Sequence, residues 1–401
     1  METNSSCGLD VHQDSIFAAI YKKNLCTEVR EFSTLTPSLL ELSEWLRTEQ
    51  VSEVAMESTG IYWIPIWNIL EKENFKLLLV NPYFIKQVPG RKSDRKDAQW
   101  IAELLHKKLL RGSLVPSSTI RTLRSYSRAF VKKTNAITKV LTSMQRTLES
   151  ANIRIGSMVS SINSKTMIKV VNSIVQGNTN PNELVKLVHG LIIKRKGNLV
   201  LQSLQGFIRP EHQFLLGQML EEHELLTRQA NDLESKMIQL GEEYYKKEIE
   251  LLKTIPGIEI KSSLQIIAET GGDMSVFNTS NKIVKWAGLV PRNDESAKKI
   301  KSKAITKGNP YLKRIIVQTA WSSSRTKGSH FQSFYRNLSF RKGSKKALIA
   351  VARKQLVVVW NLLTTNQPYD SSKQPIVTQE QLRARKGYYE KELKKINLVL
   401  E

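Results

Sequence analysis

Two carboxylates three residues apart, Asp94 and Asp97, begin an apolar run with helical spacing in the stretch GRKSDRKDAQW. Residues three apart are neighbours on a helix surface, so both carboxylates face the same way. Four cations surround them: Arg91, Lys92, Arg95 and Lys96. Acids at a helix start commonly serve as N-caps or as partners of the helix dipole. Gathered acids among cations that attract phosphate are also what a metal-dependent enzyme acting on nucleic acid needs.

The chain ahead of this helix alternates strand and helix patterns. Three short apolar segments between residues 6 and 32, broken by polar residues, predict a meander of three strands. An amphipathic helix (39–46), a short strand (54–56), a helix (62–73) and a strand (76–80) follow. This order, closed by the helix that carries Asp94 and Asp97, predicts an α/β ribonuclease-H-like fold.

In that fold four acids that are distant in sequence converge. Asp10 lies on the first strand, Glu57 ends the fourth, and the helix with Asp94 and Asp97 packs against the same sheet edge. Mg²⁺ prefers oxygen ligands at about 2.0–2.1 Å, and two ions about 3.5–4 Å apart clamp the attacking and leaving oxygens of a phosphoryl transfer. Taken singly, Asp10 is also typical of a strand edge and Glu57 of a helix start. Together, in this order, the four acids predict a Mg²⁺ site.

The charge of the whole chain favours a polyanion as partner. Lys and Arg number 61 against 37 acids, a formal net charge of +24 spread along the sequence. This favours nucleic acid over a small acidic ligand. We find no long apolar span, secretory leader or lipidation motif, so we expect a cytoplasmic, nucleoid-associated protein without membrane contact. The two cysteines, Cys7 and Cys26, have no metal-binding or disulfide pattern and are expected to be small buried residues.

Two long helices with heptad spacing are predicted in the middle of the chain. Leu123, Phe130, Ile137 and Met144 recur every seven residues, and apolar residues from 216 to 240 alternate in steps of three and four. A helical arm with a helical insert at about residues 150–209 follows from this spacing. His223 falls inside the seam, where a core or register role is expected rather than metal binding. The predicted outward face of the first helix includes Arg121, Arg124, Arg128 and Lys132. Such a face is either merely solvated or a nucleic-acid surface.

The C-terminal third contains a hairpin motif and a serine next to many lysines. The segment LLKTIPGIEIKSSLQII predicts a helix-hairpin-helix whose turn can hold a phosphate. Ser296 lies in a polar stretch, and a lone serine there is usually an ordinary loop residue. The lysines that follow supply a site for a phosphate beside it: Lys298, Lys299, Lys301, Lys303 and Lys307. Helices are predicted at about 311–324, at 345–363 in the core, and at 378–398.

In combination these motifs resemble the DEDD-type transposases of bacterial insertion sequences, the bridge-RNA-guided serine recombinases. Asp10 in GLDVH, Glu57 in MESTGIYW, and Asp94 with Asp97 in SDRKDA match the family's four acidic positions. The segments TIPGI, WAGLVP, DES with Ser296, and ITKGNPYLKR match its C-terminal signature. The resemblance covers nearly the whole chain.

The resemblance implies three domains. A RuvC-like catalytic domain (residues 1–118) holds Mg²⁺, for which Mn²⁺ substitutes, at Asp10, Glu57, Asp94 and Asp97. A coiled-coil arm (119–250) follows, and then a mainly helical transposase domain (251–401) whose Ser296 attacks DNA. The implied partners are DNA, as element ends and target, and a structured guide (bridge) RNA. The implied assembly is a homotetramer, a dimer of dimers, in which acids of one subunit and the serine of another form one site.

Two departures from the family pattern concern the C-terminal motifs. Glu259 stands where a small residue usually continues the PGI turn, which weakens the expectation of a phosphate site there. Ala297 and Lys298 follow Ser296 where a glycine is common, so that segment is expected to be stiffer and more basic. Neither change removes a catalytic position.

Three functions are compatible with these residues. The first is a recombinase that uses Ser296 as a covalent nucleophile with metal held by the four acids. The second is a metal-dependent nuclease that resembles Holliday-junction resolvases, in which water attacks and Ser296 is incidental. The third is a nucleic-acid-binding protein without catalysis, whose acids are structural.

Overall fold

The computed structural model describes residues 5–400 except 23–24, 83–92, 160–162, 293, 297–298, 303 and 374–378. The chain forms two compact units, Met1–Pro116 and Ser117–Glu401, called here the N-terminal and the C-terminal unit. The C-terminal unit contains both the predicted arm and the predicted transposase domain. The division between those two at residue 250 stays a prediction.

The N-terminal unit is built on a six-stranded mixed sheet. Its strands are β1 (Ser5–Val11), β2 (Ser15–Lys22), β3 (Leu25–Ser33), β4 (Val51–Glu57), β5 (Lys76–Val80) and β6 (Gly112–Ser113). Their order in the sheet is β3-β2-β1-β4-β5-β6. Strands β1, β4 and β5 run parallel, and the other pairings are antiparallel. Three helices accompany the sheet: α1 (Thr36–Thr48), α2 (Trp63–Leu70) and α3 (Asp94–His106).

This arrangement confirms the predicted mixed α/β sheet and its element order, and it is compatible with a ribonuclease-H-like domain. Because side chains alternate between the two faces of a strand, β1 sends Leu9 and Val11 to one side and Gly8 and Asp10 to the other. Leu9 and Val11 pack in the core with α1 and α2. The opposite face is covered by α3. Asp10 therefore lies on the sheet face that carries α3.

Helix α3 lies unusually close to β1. A Cβ atom built on Gly8 would meet the Ala102 nitrogen at 2.3 Å and the Ala98 oxygen at 2.4 Å. Ala98 and Ala102 are fully buried against Ala19 and Tyr21 of β2. Only a residue without a side chain permits this approach, so Gly8 sets how near the acids of α3 come to Asp10, two residues further along the strand.

The C-terminal unit begins with two long helices that pack on each other. They are α4 (Ser118–Ser150) and α8 (Pro210–Tyr244), and α5 (Lys165–Val175), α6 (Pro181–Leu184) and α7 (Gly190–Ser203) lie between them in sequence. The predicted seam residues Leu123, Phe130 and Met144 of α4 are buried. His223 of α8 is buried too, and this burial lowers its pKa, as expected of a core histidine. The coiled-coil geometry of the arm stays a prediction.

The remaining elements form a helical bundle with one small hairpin. Helices α9 (Lys246–Lys253), α10 (Ile260–Thr270) and α11 (Ser280–Trp286) precede strands β7 (Asp294–Ser296) and β8 (Lys299–Ser302). Helices α12 (Pro310–Ser323), α13 (His330–Lys342), α14 (Ser344–Thr365) and α15 (Gln379–Leu400) follow. The predicted polar stretch around Ser296 is thus a two-stranded hairpin, because its residues pair across the turn.

Helix α14 was expected to be a core helix, and the structure confirms it. By length and composition alone, α14 is the one helix in the described part of the chain that is apolar enough to cross a membrane. Half of that apolar window is buried inside the protein. Gln355, fully buried in the middle of α14, accepts a hydrogen bond from the Thr319 hydroxyl at 2.8 Å. A core helix in a bundle accounts for these contacts.

The packing of α3 leads to a prediction for Gly8. Gly8→Ala adds one methyl group where the helix backbone lies, so we expect the free energy of unfolding to fall by about 1–3 kcal/mol, as in other overpacked cores. Urea denaturation measures the loss. Gly190→Ala is the control, because a Cβ atom there meets nothing within 4 Å. Equal stability of Gly8→Ala and the wild type would contradict the close packing of α3 on β1.

Candidate active site

Two buried carboxylates lie at the ends of neighbouring parallel strands. Leu9 of β1 pairs with Met56 of β4, so Asp10 and Glu57 are the next residues at the carboxyl end of each strand. The two residues are only 5% and 6% exposed. A carboxylate kept this far from water is costly unless a partner compensates its charge. The strand register thus brings together two of the four predicted site acids.

Helix α3 adds the other two acids. Asp94 and Asp97 both lie in its first turn, after the N-cap residue Ser93. Asp94 is exposed and Asp97 is half-buried. Neither residue is the N-cap itself, so capping does not explain them. The partial positive charge of the helix N-terminus favours both carboxylates.

Contacts around Asp10 connect the strand to the helix. The Asp10 Oδ2 atom lies 3.1 Å from His12 Nε2, and that nitrogen lies 3.7 Å from Asp94 Oδ1. Burial raises the pKa of Asp10 above its usual range, His12 opposes this shift, and the charges of Glu57 and Asp97 raise the pKa further. The four predicted acids thus lie around one site, where the charges of Glu57 and Asp97 disfavour the ionised form of Asp10.

His12 belongs to this site and was missed in the sequence. In the sequence, His12 is typical of a polar break between the first two strands. Its backbone N–H donates to the Ser15 carbonyl at 3.0 Å, which fixes the turn between β1 and β2. The signal was the spacing Asp-x-His at a strand end, because residues two apart share one face of extended chain.

The segment after Glu57 holds that carboxylate in place. The Thr59 hydroxyl donates to Glu57 Oε1 at 2.8 Å. The Ser58 N–H donates to the Val80 carbonyl at 2.9 Å, which ties the turn to β5. Gly60, with a φ of 54°, then turns the chain toward α2. The residues of the motif ESTG therefore have separate roles: Thr59 orients the buried Glu57 carboxylate, Ser58 ties the turn to β5, and Gly60 turns the chain.

The donor set fits a hard divalent cation. Single ligand atoms of Asp10, His12 and Asp94 lie within 4.8 Å of one another. Glu57 and Asp97 add carboxylates close enough to act on Asp10. Carboxylate oxygens are the ligands that Mg²⁺ and Mn²⁺ favour. The ligand atoms gathered here are carboxylate oxygens and one histidine nitrogen. A cation here would compensate the charges that burial makes costly.

The basic residues near α3 stay predictions as nucleic-acid contacts. Arg91 and Lys92 lie outside the described residues. Arg95 and Lys96 are exposed on the first turn of α3, beside Asp94. This position allows contact with a phosphate close to the acids. On α4, Lys132 is exposed and Arg121 is partly exposed.

Arg124 and Arg128 do not form the predicted free outward face. Arg124 donates to the Ala268 and Glu269 carbonyls at 2.8 and 2.9 Å. Arg128 forms a two-pronged ion pair with the Glu269 carboxylate, both N–O distances being 2.9 Å, and stacks on the Tyr311 ring. Glu269 is 1% exposed. The expectation was wrong because α4 turns these two side chains toward the C-terminal end of α10.

The same buried Glu269 reaches the segment that follows the serine hairpin. Its Oε2 atom accepts a hydrogen bond from Asn309 Nδ2 at 2.7 Å. Asn309 in turn caps α12, accepting from the Tyr311 and Leu312 N–H groups. One carboxylate therefore connects α4, α10 and the start of α12.

The hairpin with Ser296 is anchored at its base. The Arg292 N–H donates to the Ala304 carbonyl at 3.0 Å, and the Thr306 N–H donates to the Val290 carbonyl at 2.9 Å. Ser296 ends β7 and pairs with Lys299 of β8. Lys299 and Lys301 lie on β8, Lys307 is exposed beyond the hairpin, and Lys298 and Lys303 lie outside the described residues.

Two glycines bring the motifs WAGLVP and ITKGNPYLKR together. A Cβ atom on Gly308 would meet the Gly288 nitrogen at 2.4 Å and the Trp286 oxygen at 2.5 Å. Gly288 also has a φ of 70°, which a residue with a side chain rarely adopts. The two segments that flank the hairpin therefore touch through their backbones.

The helix-hairpin-helix turn is closed by its own side chains. Glu259 is the N-cap of α10, and its backbone carbonyl accepts from the Ser262 and Ser263 hydroxyls at 2.8 and 3.1 Å. The Ser262 hydroxyl accepts from the Glu259 N–H at 2.8 Å. The Ser262 hydroxyl thus occupies a backbone N–H that a phosphate would need, and the Glu259 side chain adds a negative charge at the start of the helix. The departure at Glu259 thus has a structural consequence that disfavours anion binding at this turn.

Two sequence families match the chain. The IS110-type DEDD family, described as Transposase, matches residues 7–153. The family described as Transposase IS116/IS110/IS902 matches residues 249–336. Asp10, Glu57, Asp94 and Asp97 fall within the first segment, and Ser296 falls within the second.

Several proteins with similar sequences have names that indicate transposition or DNA inversion. The transposase for insertion sequence element IS1111A of Coxiella burnetii is 30% identical over 122 residues, which cover 29% of this chain and 33% of the relative. The pilin gene-inverting protein of Moraxella lacunata is 30% identical over 123 residues, which cover 30% of this chain and 38% of the relative. The matches thus span little more than a third of these relatives. The probable family 20 transposase of Pseudomonas aeruginosa is 22% identical, over 90% of this chain and 94% of its own length.

The ion pair of Glu269 leads to a stability prediction. Glu269→Gln keeps the shape of the side chain but leaves Arg124 and Arg128 without their counter-charge, so we expect a loss of about 3 kcal/mol in unfolding free energy, the low end for a broken buried pair. Urea denaturation of the C-terminal unit measures it.

The control for this prediction is Glu234→Gln. Glu234 pairs with Lys261 at 2.7 Å, where the lysine is 46% exposed, and a pair this exposed contributes at most about 1 kcal/mol. If both variants lose a similarly small amount of unfolding free energy, the ion pair of Glu269 would not stabilise the fold, and Arg124 and Arg128 would count as solvated residues.

Proposed function

We propose that this chain, which belongs to the IS110 family of DEDD transposases, cuts and rejoins DNA strands with Ser296 as a covalent nucleophile and a divalent cation at Asp10, Glu57, Asp94 and Asp97. The observation that carries the proposal is the gathering of these acids. Asp10 and Glu57 are buried at adjacent strand ends, and α3 brings two further acids to the same place. Such a set contributes little to stability by itself, so its use is in binding a cation.

The cation is proposed to be Mg²⁺, with Mn²⁺ as a substitute. When bound, it would neutralise charge on the phosphate and lower the cost of removing a proton from an attacking oxygen. Asp10 and Glu57 would hold it from the sheet, and Asp94 and Asp97 from the helix. Thr59 keeps the Glu57 carboxylate oriented for this role. His12, in contact with Asp10 and near Asp94, would orient these two acids.

The proposed chemical step is a transfer of a DNA phosphate to serine. A bond forms between Ser296 Oγ and the phosphorus, and the bond from phosphorus to one deoxyribose oxygen breaks. That oxygen takes a proton and leaves as a hydroxyl. A serine hydroxyl is a weak nucleophile until a base or a metal activates it, and no histidine lies near Ser296 in sequence. The acidic cluster is the part of the chain that can supply this activation.

The phosphoserine bond conserves the energy of the phosphodiester. A later attack by a DNA hydroxyl on the phosphorus reverses the step, frees the serine, and joins strands without ATP. The lysines near the serine, Lys298, Lys299, Lys301, Lys303 and Lys307, would stabilise the negative charge that builds on the phosphate.

The acids and the serine belong to different structural units. The proposal therefore requires that the two units, of one chain or of two subunits, meet at the DNA. A tetramer with sites shared between subunits satisfies this requirement. The net charge of +24 supports a nucleic-acid partner, and the family resemblance supports a structured guide RNA besides the element ends and the target DNA.

The covalent step gives a direct prediction. Wild-type protein, incubated with Mg²⁺ and a supercoiled plasmid that carries the DNA flanking its own gene, together with RNA that co-purifies with the protein, should yield a peptide with DNA phosphate on Ser296. Ser296→Ala should lose this adduct and strand joining but keep DNA binding. Mass spectrometry of trapped and digested complexes identifies the adduct.

A mixing experiment serves as the control. Ser296→Ala and Asp10→Asn proteins are each expected to be inactive, and a mixture should recover part of the activity if the site is shared between subunits. Cleaved DNA without any peptide on Ser296 would rule out the covalent mechanism and favour the nuclease in which water attacks.

A further inference from the structure

An open groove runs along α12 in the C-terminal unit. It encloses about 1020 Å³ between the segment that begins at Lys307, helix α12 and the first turns of α14. Its floor is apolar and includes Val317, Trp321 and Leu348. This volume lies just above the usual range of small-ligand pockets, about 300–1,000 Å³. A bound molecule of this size would need both apolar surface and polar groups.

The groove has a regular arrangement along the helix. Arg314, Val317 and Trp321 follow one another in steps of three and four, so they form a stripe on one side of α12. The other side of α12 is in the core, with Ile315, Ile316 and Ala320 buried. The stripe is thus the solvent side of a helix whose position is fixed by its buried side.

Cations rim the groove. Lys307, Arg314 and Lys345 are exposed, and within the described part of the chain none of them is paired with an acid. No acid is found among the described residues that line the groove. Exposed cations without counter-charges create a positive potential that favours phosphate groups.

Trp321 provides a flat apolar surface in this positive groove. It is 39% exposed although it is one of the largest apolar side chains. The guanidinium carbon of Arg325, which follows the C-terminal end of α12, lies 3.6 Å from the centre of the indole ring. The ring of Tyr335 meets the indole edge-on at 6.2 Å. These two contacts hold the indole in a fixed orientation.

We propose that this groove binds a single DNA strand, with a base on Trp321 and phosphates on Lys307, Arg314 and Lys345. A single strand presents base faces and phosphates alternately, which matches an aromatic surface between cations. A duplex hides its base faces in the stack, so it would contact the cations and leave the apolar floor unused. The ligand is therefore an unpaired strand.

The choice of DNA rests on the proposed function. The groove begins at Lys307, directly after the hairpin that carries Ser296, and the Lys313 ammonium group donates to the Thr306 carbonyl at 3.1 Å. The groove therefore follows, along the chain, the hairpin at which the proposed function places the cut. The groove is thus assigned to the unpaired DNA strand next to the cleaved phosphate.

Binding without cleavage tests the proposal. Full-length protein in EDTA is titrated into a short fluorescein-labelled single-stranded oligodeoxynucleotide, and separately into the same sequence as a duplex, with fluorescence anisotropy as the readout. Trp321→Ala should weaken single-strand binding by about 10-fold or more, the stacking of about one base, and leave duplex binding almost unchanged. Trp321→Phe should restore most of the affinity, because the phenyl ring still stacks.

The cations are tested by salt dependence. Lys307→Ala with Lys345→Ala should lower the slope of log affinity against log salt by about 1.4, because each lost contact with a single strand removes about 0.7. Lys247→Ala with Lys282→Ala removes the same charge from exposed positions on other helices and is the matched control. Phe340→Ala, at an aromatic residue that is 68% exposed elsewhere, is the control for Trp321→Ala.

Three results would overturn the proposal. In the first, Trp321→Ala weakens single-strand and duplex binding equally. In the second, it weakens neither. In the third, it weakens binding of an RNA strand of the same sequence more than binding of the DNA strand, which would assign the groove to RNA. Because EDTA excludes metal-dependent cleavage, these outcomes are independent of the chemistry at Ser296. If no DNA adduct forms on Ser296 but Trp321→Ala still weakens single-strand binding, the proposed function is refuted and the single-strand binding site is supported.

Discussion

The repulsion between two buried carboxylates is the constraint around which the N-terminal unit is arranged. Asp10 and Glu57 occupy the ends of neighbouring parallel strands, where hydrogen bonds of the sheet fix their backbones. Neither residue can move away without breaking the strand register. Gly8 then allows α3 to approach so closely that Asp97 adds to the repulsion instead of relieving it. The fold thus holds four acids at one place although their charges repel. A cation bound there would remove this repulsion, so the cluster is best explained as a cation site.

A second buried carboxylate has the opposite role. Glu269 has two arginines and an asparagine as partners, so its charge is compensated by the protein itself. It connects the arm helix α4 to the N-cap of α12, and thereby to the segments that support the Ser296 hairpin. The two carboxylates differ in their surroundings: Glu269 has arginine partners from another helix, whereas the charges near Asp10 include two further acids besides His12.

The sequence predicted much of the fold because its periodicities are local. The alternation of strands and the helical spacing after Asp94 placed the sheet, α3 and the core helix α14 correctly. The parallel strand order was enough to bring Asp10 and Glu57 together. Long-range partners could not be predicted in the same way: Arg124 and Arg128 looked like an exposed basic face, since Glu269 lies 141 positions after Arg128. The spacing Asp10-x-His12 is a weak signal by itself, because the role of His12 depends on its contact with Asp94, which is distant in sequence.

We infer that the acidic cluster binds a divalent cation, and a Mn²⁺ titration followed by electron paramagnetic resonance tests this inference most directly. Wild-type protein should bind Mn²⁺, and Mg²⁺ should displace it. Asp10→Asn and Glu57→Gln should each lose this binding, whereas Asp14→Asn, at an exposed acid near the cluster in sequence, should retain it. Unchanged Mn²⁺ binding by the Asp10 and Glu57 variants, with the fold intact by circular dichroism, would contradict the claim.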